Sequence, residues 1–531
     1  MPDDADGLRD NRVNTTDFLS IANAICPDRA LMVFDGARWN YALTWERVNR
    51  LANALRGLGI KKGDRVGMLE INCNQYVEAY FAAATLGAIF VPLNFRAKEA
   101  EIQYMIENAS AKLLIAGERY LGMVEGVLSR APSVKHCLAL GGLEKEHASY
   151  ERLLSSSSSE EITEEIGDED VTILMYTSGT TGRPKGVPLT HSGFVSYVLE
   201  NVEPANPDVE ERNLLTVPLY HVAGMQAMLS AVYGGRTLVL MRQFETEEWM
   251  KTVQQEGVTR AMLVPTMLKW IIDHPDFRKY DLSSLKVITY GAAPMPFEVI
   301  KKAIGEMPWV RFINAFGQTE TASTITALGP EDHVLEGTEE EIEKKFKRLT
   351  SSVGRPLPDV ELKIVNEQGE ALPAREVGEI LAKGPRVMKG YWEDADKTTK
   401  VMTEDGWLRT GDMGWMDEEG YLYLAGRSDD MIIRGGENIS PEEIEDVLRS
   451  YSKIEEAAVI GVPDPEWGQE PRAIVVLKKD ESATAEEIMQ YCRDRLAGFK
   501  RPRSVVFVDR LPRNQMGKVL KKELKRTYGQ V

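Results

Sequence analysis

The sequence predicts an α/β protein. The expected architecture is a large N-terminal domain of layered α/β sheets with a small antiparallel subdomain, then a small, mobile α+β C-terminal domain. Three observations lead there. Strand-like and helix-like stretches alternate through the first half of the chain. From about Val353 they give way to short strands split by glycine turns. The final stretch carries strands and a helix of its own, enough for a separate lobe.

Each element follows from local pattern. Thr44 starts a helix with Val48, Leu51 and Leu55 on one face, and Gly57 ends it. Lys62-Gly63-Asp64 turns into a strand from Arg65 to Leu69. A helical run to Leu86-Gly87 then leads to Ile89, Phe90 and Val91, before Pro92. The same order recurs at Thr259 to Val264, Met267 to Ile272 and Val287 to Tyr290. Ser155 to Ser159 reads as a solvated loop and Glu336 to Lys347 as an exposed helix. Val360 to Val365, Gly378 to Ala382 and Tyr421 to Ala425 are the antiparallel strands. Ser440, Pro441 and Glu443 form a helix start with a cap, a first-turn proline and a capping-box carboxylate. Val459 to Val462 and Ala473 to Leu477 are strands, and Ala485 to Leu496 a helix. The expected boundary divides residues 1–428 from 429–531.

Composition narrows the function. At 531 residues, with 43% hydrophobic and 27% charged side chains, the chain suits more than one soluble domain. No stretch approaches the ~20 apolar residues that span a bilayer. The acidic start Met1-Pro-Asp-Asp lacks an apolar leader. Cys26, Cys73, Cys137 and Cys492 are scattered without metal spacing and read as reduced thiols of a cytoplasmic protein. A formal charge of −18 argues against nucleic-acid binding. The exception is the basic tail from Arg493 to Arg526, which suits a polyphosphate or a solvated face alike.

Tyr176 to Val187 is the most telling segment. Thr177, Ser178, Thr180 and Thr181 offer hydroxyls, Gly179 and Gly182 free the backbone, and Lys185 adds a mobile cation. A flexible surface loop is the plain alternative, but hydroxyls, glycines and a lysine after an apolar strand fit a phosphate better. The common nucleotide loop ends in Gly-Lys-Ser/Thr, whereas Arg183 and Pro184 separate Gly182 from Lys185 here. A second segment runs Asn314, Ala315, Phe316, Gly317, Gln318, Thr319, Glu320 after a strand-like Arg311 to Ile313. Phe316 offers a flat face for a purine, Gln318 and Thr319 offer hydrogen bonds, and Glu320 is a hard oxygen ligand suited to magnesium. Thr410-Gly-Asp412, Gly426-Arg427 and Lys518 after Gly517 say little alone. Pro218 to Gly224 carries His221 among apolar residues. Tyr290 to Pro294, with Gly291, Ala292 and Ala293, and Val264 to Thr266 are small and apolar, and small residues at Gly224 and 291–293 leave depth for an aliphatic chain or an aryl ring alike.

Together these segments resemble the adenylate-forming enzymes: acyl-CoA synthetases, aryl-CoA ligases, luciferases and peptide-synthetase adenylation domains. The texture is most similar to fatty-acid–CoA ligases. The resemblance runs from Tyr176 to Lys518, with its motifs in family order. It implies an AMP-forming acyl-CoA ligase using ATP, Mg²⁺ and CoA on an apolar carboxylic acid, with a medium- or long-chain fatty acid first. Benzoate- or cinnamate-like aryl acids are the alternative. An amino-acid-adenylating enzyme would need an acidic pocket group that these segments lack. It further implies Lys518, Glu320 and His221 at the reacting centre, with His221 lining the acyl pocket and given no proton-transfer role. Asp412 and Arg427 hold the ribose, Glu320 and Thr177 the metal, and residues 177–182, Lys185, 291–293 and 314–319 the nucleotide. Asp429 is the hinge for two working poses, and Gly435 and Gly436 flank the pantetheine arm in the second. Peripheral membrane contact and a homodimer stay open.

Overall fold

The computed structural model describes residues 13–141, 148–177, 183–427, 430–434, 437–513 and 518–529. Two large sheets and a smaller C-terminal one organise them. The first has seven strands, in spatial order Ala148–Ser149, His136–Leu140, Leu113–Gly117, Arg65–Leu69, Ile89–Pro92, Val171–Thr177 and Lys185–Thr190. All its neighbours are parallel except the last pair, which is an antiparallel hairpin pairing Thr177 with Lys185. The second sheet runs through thirteen strands. A parallel core of Arg212–Leu215, Arg260–Leu263, Val287–Gly291 and Arg311–Gln318 continues into Ser323–Leu328, Ser352–Pro356, Leu422–Arg427, Leu408–Met416, Gly378–Lys383 and Glu361–Val365.

The antiparallel run is therefore present as expected, but it extends the parallel sheet instead of standing apart from it. Two nearly all-buried helices, Asn74–Thr85 and Val222–Tyr233, share one apolar core with strands of both large sheets. A helix buried all round needs no polar face: Ala79 to Ala84 are buried throughout, and the buried Gln226 and Ser230 of the second helix bond to each other at 3.2 Å. The C-terminal stretch builds cores of its own: Ile432, Ile444, Val459, Ala473 and Ile488 in one, and Ile460, Ile474 and Leu524 in another.

Most expected elements are found, with shifted ends. The helix placed at Thr44 begins at Tyr41, because the Asn40 side chain accepts from the Leu43 N–H at 2.8 Å and caps it. The C-terminal helix stops at Arg493, short of Leu496. Ser440 does cap Pro441–Arg449. The Glu443 carboxylate, however, pairs with Lys500 at 2.7 Å, so the capping box is half used. The strand seen as ending at Ile313 runs on to Gln318, held by ladders on both sides. All four cysteines are free. Among the described residues no helix is long and apolar enough to cross a membrane.

Candidate active site

The site forms where the two large sheets and the C-terminal lobe meet. The first wall is the hairpin carrying Thr177 and Lys185 at its facing ends. A hairpin, not a strand-to-helix turn, thus presents this loop. That agrees with the missing Gly-Lys-Ser/Thr ending. Ser178, Gly179, Thr180, Thr181 and Gly182 lie outside the described residues, as do Asp429, Gly435 and Gly436.

The second wall is the end of Arg311–Gln318. Its ladder to Ser323–Leu328 slips between Phe316 and Gly317, and Ala322 and Ser323 take φ of +46° and +90°. A Cβ on Gly317 would sit 1.7 Å from the Ser323 carbonyl oxygen, so only glycine fits. This reversal carries Thr319–Thr321 as a single 3₁₀ turn and projects Glu320 from the sheet end. Tyr391 donates its hydroxyl to Glu320 Oε1 at 2.9 Å, and the Met388 N–H donates to the Glu320 carbonyl at 2.9 Å. Gln318 Nε2 donates to the Thr410 carbonyl at 3.5 Å, tying this wall to the third. Phe316 is part-buried and packs against small apolar clusters of the antiparallel strands, including Ile380 and Ile325.

The third wall is the pair Leu408–Met416 and Leu422–Arg427. Asp412 faces Arg427 across this ladder, and Arg427 Nε meets Asp412 Oδ1 at 3.0 Å. Arg427 also donates to the Thr410 carbonyl at 2.8 Å. Burial pushes the Asp412 carboxyl up, Arg427 and Lys518 pull it back, and Glu320 pushes it up again. For Lys518, burial and Arg427 push the ammonium down, while Asp412, Glu442 and Asp430 oppose. Four side chains that the sequence scatters between Glu320 and Lys518 therefore share one electrostatic neighbourhood, and the C-terminal lysine is at it.

Magnesium would fit here as a guest of the nucleotide. Among the described residues no group of three or more His, Cys, Asp or Glu side chains forms a protein cage. A lone carboxylate such as Glu320 is a hard oxygen donor of the kind that suits magnesium when substrate phosphates and water complete the shell.

On the acyl side, two glycines depart from expectation. The His221 Nδ1 accepts from the Ala223 N–H at 3.3 Å and caps Val222–Tyr233. Burial pushes its imidazole down to about 4. A ring held neutral by burial, with one nitrogen spent on a cap, is poorly suited to carry a catalytic proton. Gly224 and Gly291 do not supply pocket depth. A Cβ at Gly224 would lie 2.3 Å from the Pro218 carbonyl oxygen, and one at Gly291 would lie 2.2 Å from that of Ala315. Backbone already fills both spaces. Met225 and Tyr290 are buried in the core, the latter with its hydroxyl 2.8 Å from His333 Nε2. Ala292 is exposed at φ +67° and Ala293 is half-buried.

Tyr391 and Glu442 were not singled out in the sequence. Glu442 lies against Gly426, its carboxyl carbon 4.0 Å from where a Cβ there would be. Burial pushes this carboxyl up to about 7, aided by Glu445 and Asp446 and opposed by Lys521 and Arg449. Neither residue sits in a stretch whose composition sets it apart.

Comparison with known proteins accords with this geometry. Residues 21–392 match the family described as AMP-binding enzyme, and residues 443–518 match the AMP-binding enzyme C-terminal domain. Over 500 residues the chain is 37% identical to a feruloyl-CoA synthase of Amycolatopsis sp., covering 93% of this chain and 95% of that protein. It is 33% identical to the long-chain-fatty-acid–CoA ligase FadD13 of Mycobacterium tuberculosis, over 92% of this chain and 93% of that one. Among solved structures, the anthranilate CoA ligase AuaEII in complex with anthranoyl-AMP superposes with a TM-score of 0.87 at 26% identity, covering 98% and 97% of the two chains.

Proposed function

This chain belongs to the AMP-binding enzyme family, and from that membership we propose that it is an AMP-forming acid–thiol ligase acting on an apolar carboxylic acid, ATP and CoA. In the first step a carboxylate oxygen bonds to the α-phosphorus and pyrophosphate leaves. In the second the CoA thiolate bonds to the acyl carbon, and the bond to AMP breaks. The observation that carries the reading is the gathering of Glu320, Asp412, Arg427 and Lys518 into one site.

Each side chain has a task there. The Asp412 carboxylate can accept both hydroxyls of a ribose, and Arg427 holds it in place. Lys518 brings positive charge to the reacting oxygens, where such a contact is worth ~10²–10³ in rate. Glu320 and Thr177 would hold magnesium, which supplies neutralisation of phosphate charge when bound. Lys518 beside Asp412 supports the adenylate-forming pose as the one seen here. The chemistry then calls for a second pose that admits the thiol. We place the division at residues 1–428 and 429–531, which the separate C-terminal cores support.

For the acid, an aromatic carboxylate is the first candidate. The feruloyl-CoA relative and the anthranilate ligase support it, and the backbone that fills the space beside Gly224 and Gly291 leaves less depth for a long chain. A fatty acid stands second, supported by the FadD13 likeness. No acidic side chain in Pro218 to Gly224, Val264 to Thr266 or Tyr290 to Pro294 awaits an amine. Leaving one buried and unpaired costs ~1–3 kcal/mol.

The test is acid-dependent AMP formation with ATP and CoA, measured as kcat/KM for acetate, octanoate, palmitate, benzoate, 4-coumarate and leucine. An aromatic acid should lead. Palmitate leading would transfer the assignment to fatty acids. Leucine or acetate leading would overturn the apolar pocket, and no acid-dependent AMP at all would overturn the ligase.

A further inference from the structure

We infer that Tyr391 is a positioning residue whose hydroxyl fixes the Glu320 carboxylate relative to Lys185 of the phosphate-loop hairpin. The inference rests on Glu320 as the metal carboxylate of the proposed ligase.

Tyr391 lies in the connection between Gly378–Lys383 and the helix Ala395–Val401. This connection is pinned at three places. The wholly buried Arg386 pairs with Asp359 and donates to the Thr324 carbonyl, on the thirteen-stranded sheet. The Met388 N–H reaches the Glu320 carbonyl. The Trp392 N–H then donates to the Gly186 carbonyl at 2.8 Å, and its indole N–H donates to the Asn108 carbonyl at 3.3 Å, both on the seven-stranded side. The segment thus staples together the two sheets whose ends form the nucleotide site.

Tyr391 sits inside that staple, 8% exposed. Its hydroxyl is 2.9 Å from Glu320 Oε1. Lys185 Nζ is 3.5 Å from the same hydroxyl and 4.8 Å above the ring centroid. Only one proton arrangement satisfies the three groups. A carboxylate only accepts and an ammonium only donates, so the phenol proton goes to Glu320 and its lone pair faces Lys185. Oε1 is thereby occupied, the rotation of the carboxylate is set, and the direction of Oε2 with it. The cation that awaits phosphate and the carboxylate that awaits metal are held in register through one hydroxyl.

Tyr391→Phe tests this, because it keeps the ring beneath Lys185 and removes only the oxygen. The readout is Mn²⁺ binding to the full-length protein with a non-hydrolysable ATP analogue, followed by electron paramagnetic resonance. A second readout is the KM for Mg·ATP against that for the acid. Losing a hydrogen bond to a charged group should weaken Mn²⁺ binding and raise the KM for Mg·ATP about tenfold. The KM for the acid and the thermal midpoint should stay at wild-type values. Glu320→Gln should weaken Mn²⁺ at least as much, and adding Tyr391→Phe to it should cost nothing further. If Glu320→Gln weakens Mn²⁺ and Tyr391→Phe does not, the positioning role is overturned and the metal assignment stands. If Glu320→Gln leaves Mn²⁺ unchanged, both fall. A Tyr391→Phe defect that moves all KM values and the thermal midpoint together would make the residue merely structural.

Discussion

Replacing Glu442 by glutamine should change how stability depends on pH. Glu442 is part-buried at the start of Pro441–Arg449, against Gly426 and within the fields of Lys521, Glu445, Asp446, Arg449 and Lys518. Burial lifts its carboxyl from 4.5 to about 7. The folded protein therefore holds this proton more tightly than the unfolded chain does. Folding is favoured while the group is protonated in both states, and the advantage is lost as pH rises from the ordinary value through about 7. At 1.36 kcal/mol per pH unit the full lift corresponds to ~3 kcal/mol. Partial exposure lets solvent screen the charge, which leaves ~1–2 kcal/mol. Glutamine copies the protonated shape and cannot ionise. Equilibrium urea unfolding of both proteins between about pH 5 and pH 8.5 should show the variant gaining on wild type by ~1–2 kcal/mol, mostly below pH 7. Parallel curves, or a gap that opens in the acid direction, would refute the reasoning.

Other consequences follow from the same contacts. Lys518→Ala should lower adenylate formation by ~10²–10³ while sparing thioester formation from supplied acyl-AMP, measured as separate half-reactions; equal losses in both would remove Lys518 from a first-step role. Arg386→Met should destabilise the protein by ~3–5 kcal/mol at neutral pH, because it leaves Asp359 part-buried without its partner. Burial pushes Asp359 up, but Arg386 outweighs it and holds the carboxyl below its ordinary value. The stability from this pair is thus present above that value and lost as pH falls, so urea midpoints of variant and wild type should converge in acid.

Much of the site was legible because its chemistry is concentrated in short spans. Thr177 to Lys185 crowds hydroxyls, glycines and a cation together, and Glu320 follows a glycine and a threonine. Thr410 to Asp412 and Lys518 acquire meaning only beside those spans. Tyr391 was not legible. In sequence it is one aromatic next to Trp392, and its partners Lys185 and Glu320 are 206 and 71 residues away. The strand through Asn314 to Gln318 was cut short because asparagine, glycine and glutamine are weak strand formers. Its two ladders override that preference. Joining of the antiparallel unit to the parallel sheet depends on Thr326 pairing with Pro356 and Gly354 with Leu422. Such long-range register leaves no local trace. Gly224 and Gly291 misled for a related reason: a small residue looks the same in sequence whether ligand or backbone fills the space it leaves.

The central claim is that Glu320, Asp412, Arg427 and Lys518 form a site that joins a carboxylate to AMP before any thiol is needed. Exchange of labelled pyrophosphate into ATP, run without CoA and with the best acid of the panel, tests it most directly. The account predicts exchange that requires the acid, proceeds in the absence of CoA and is lost in Lys518→Ala. Exchange that is absent, or that appears only when CoA is added, would contradict it.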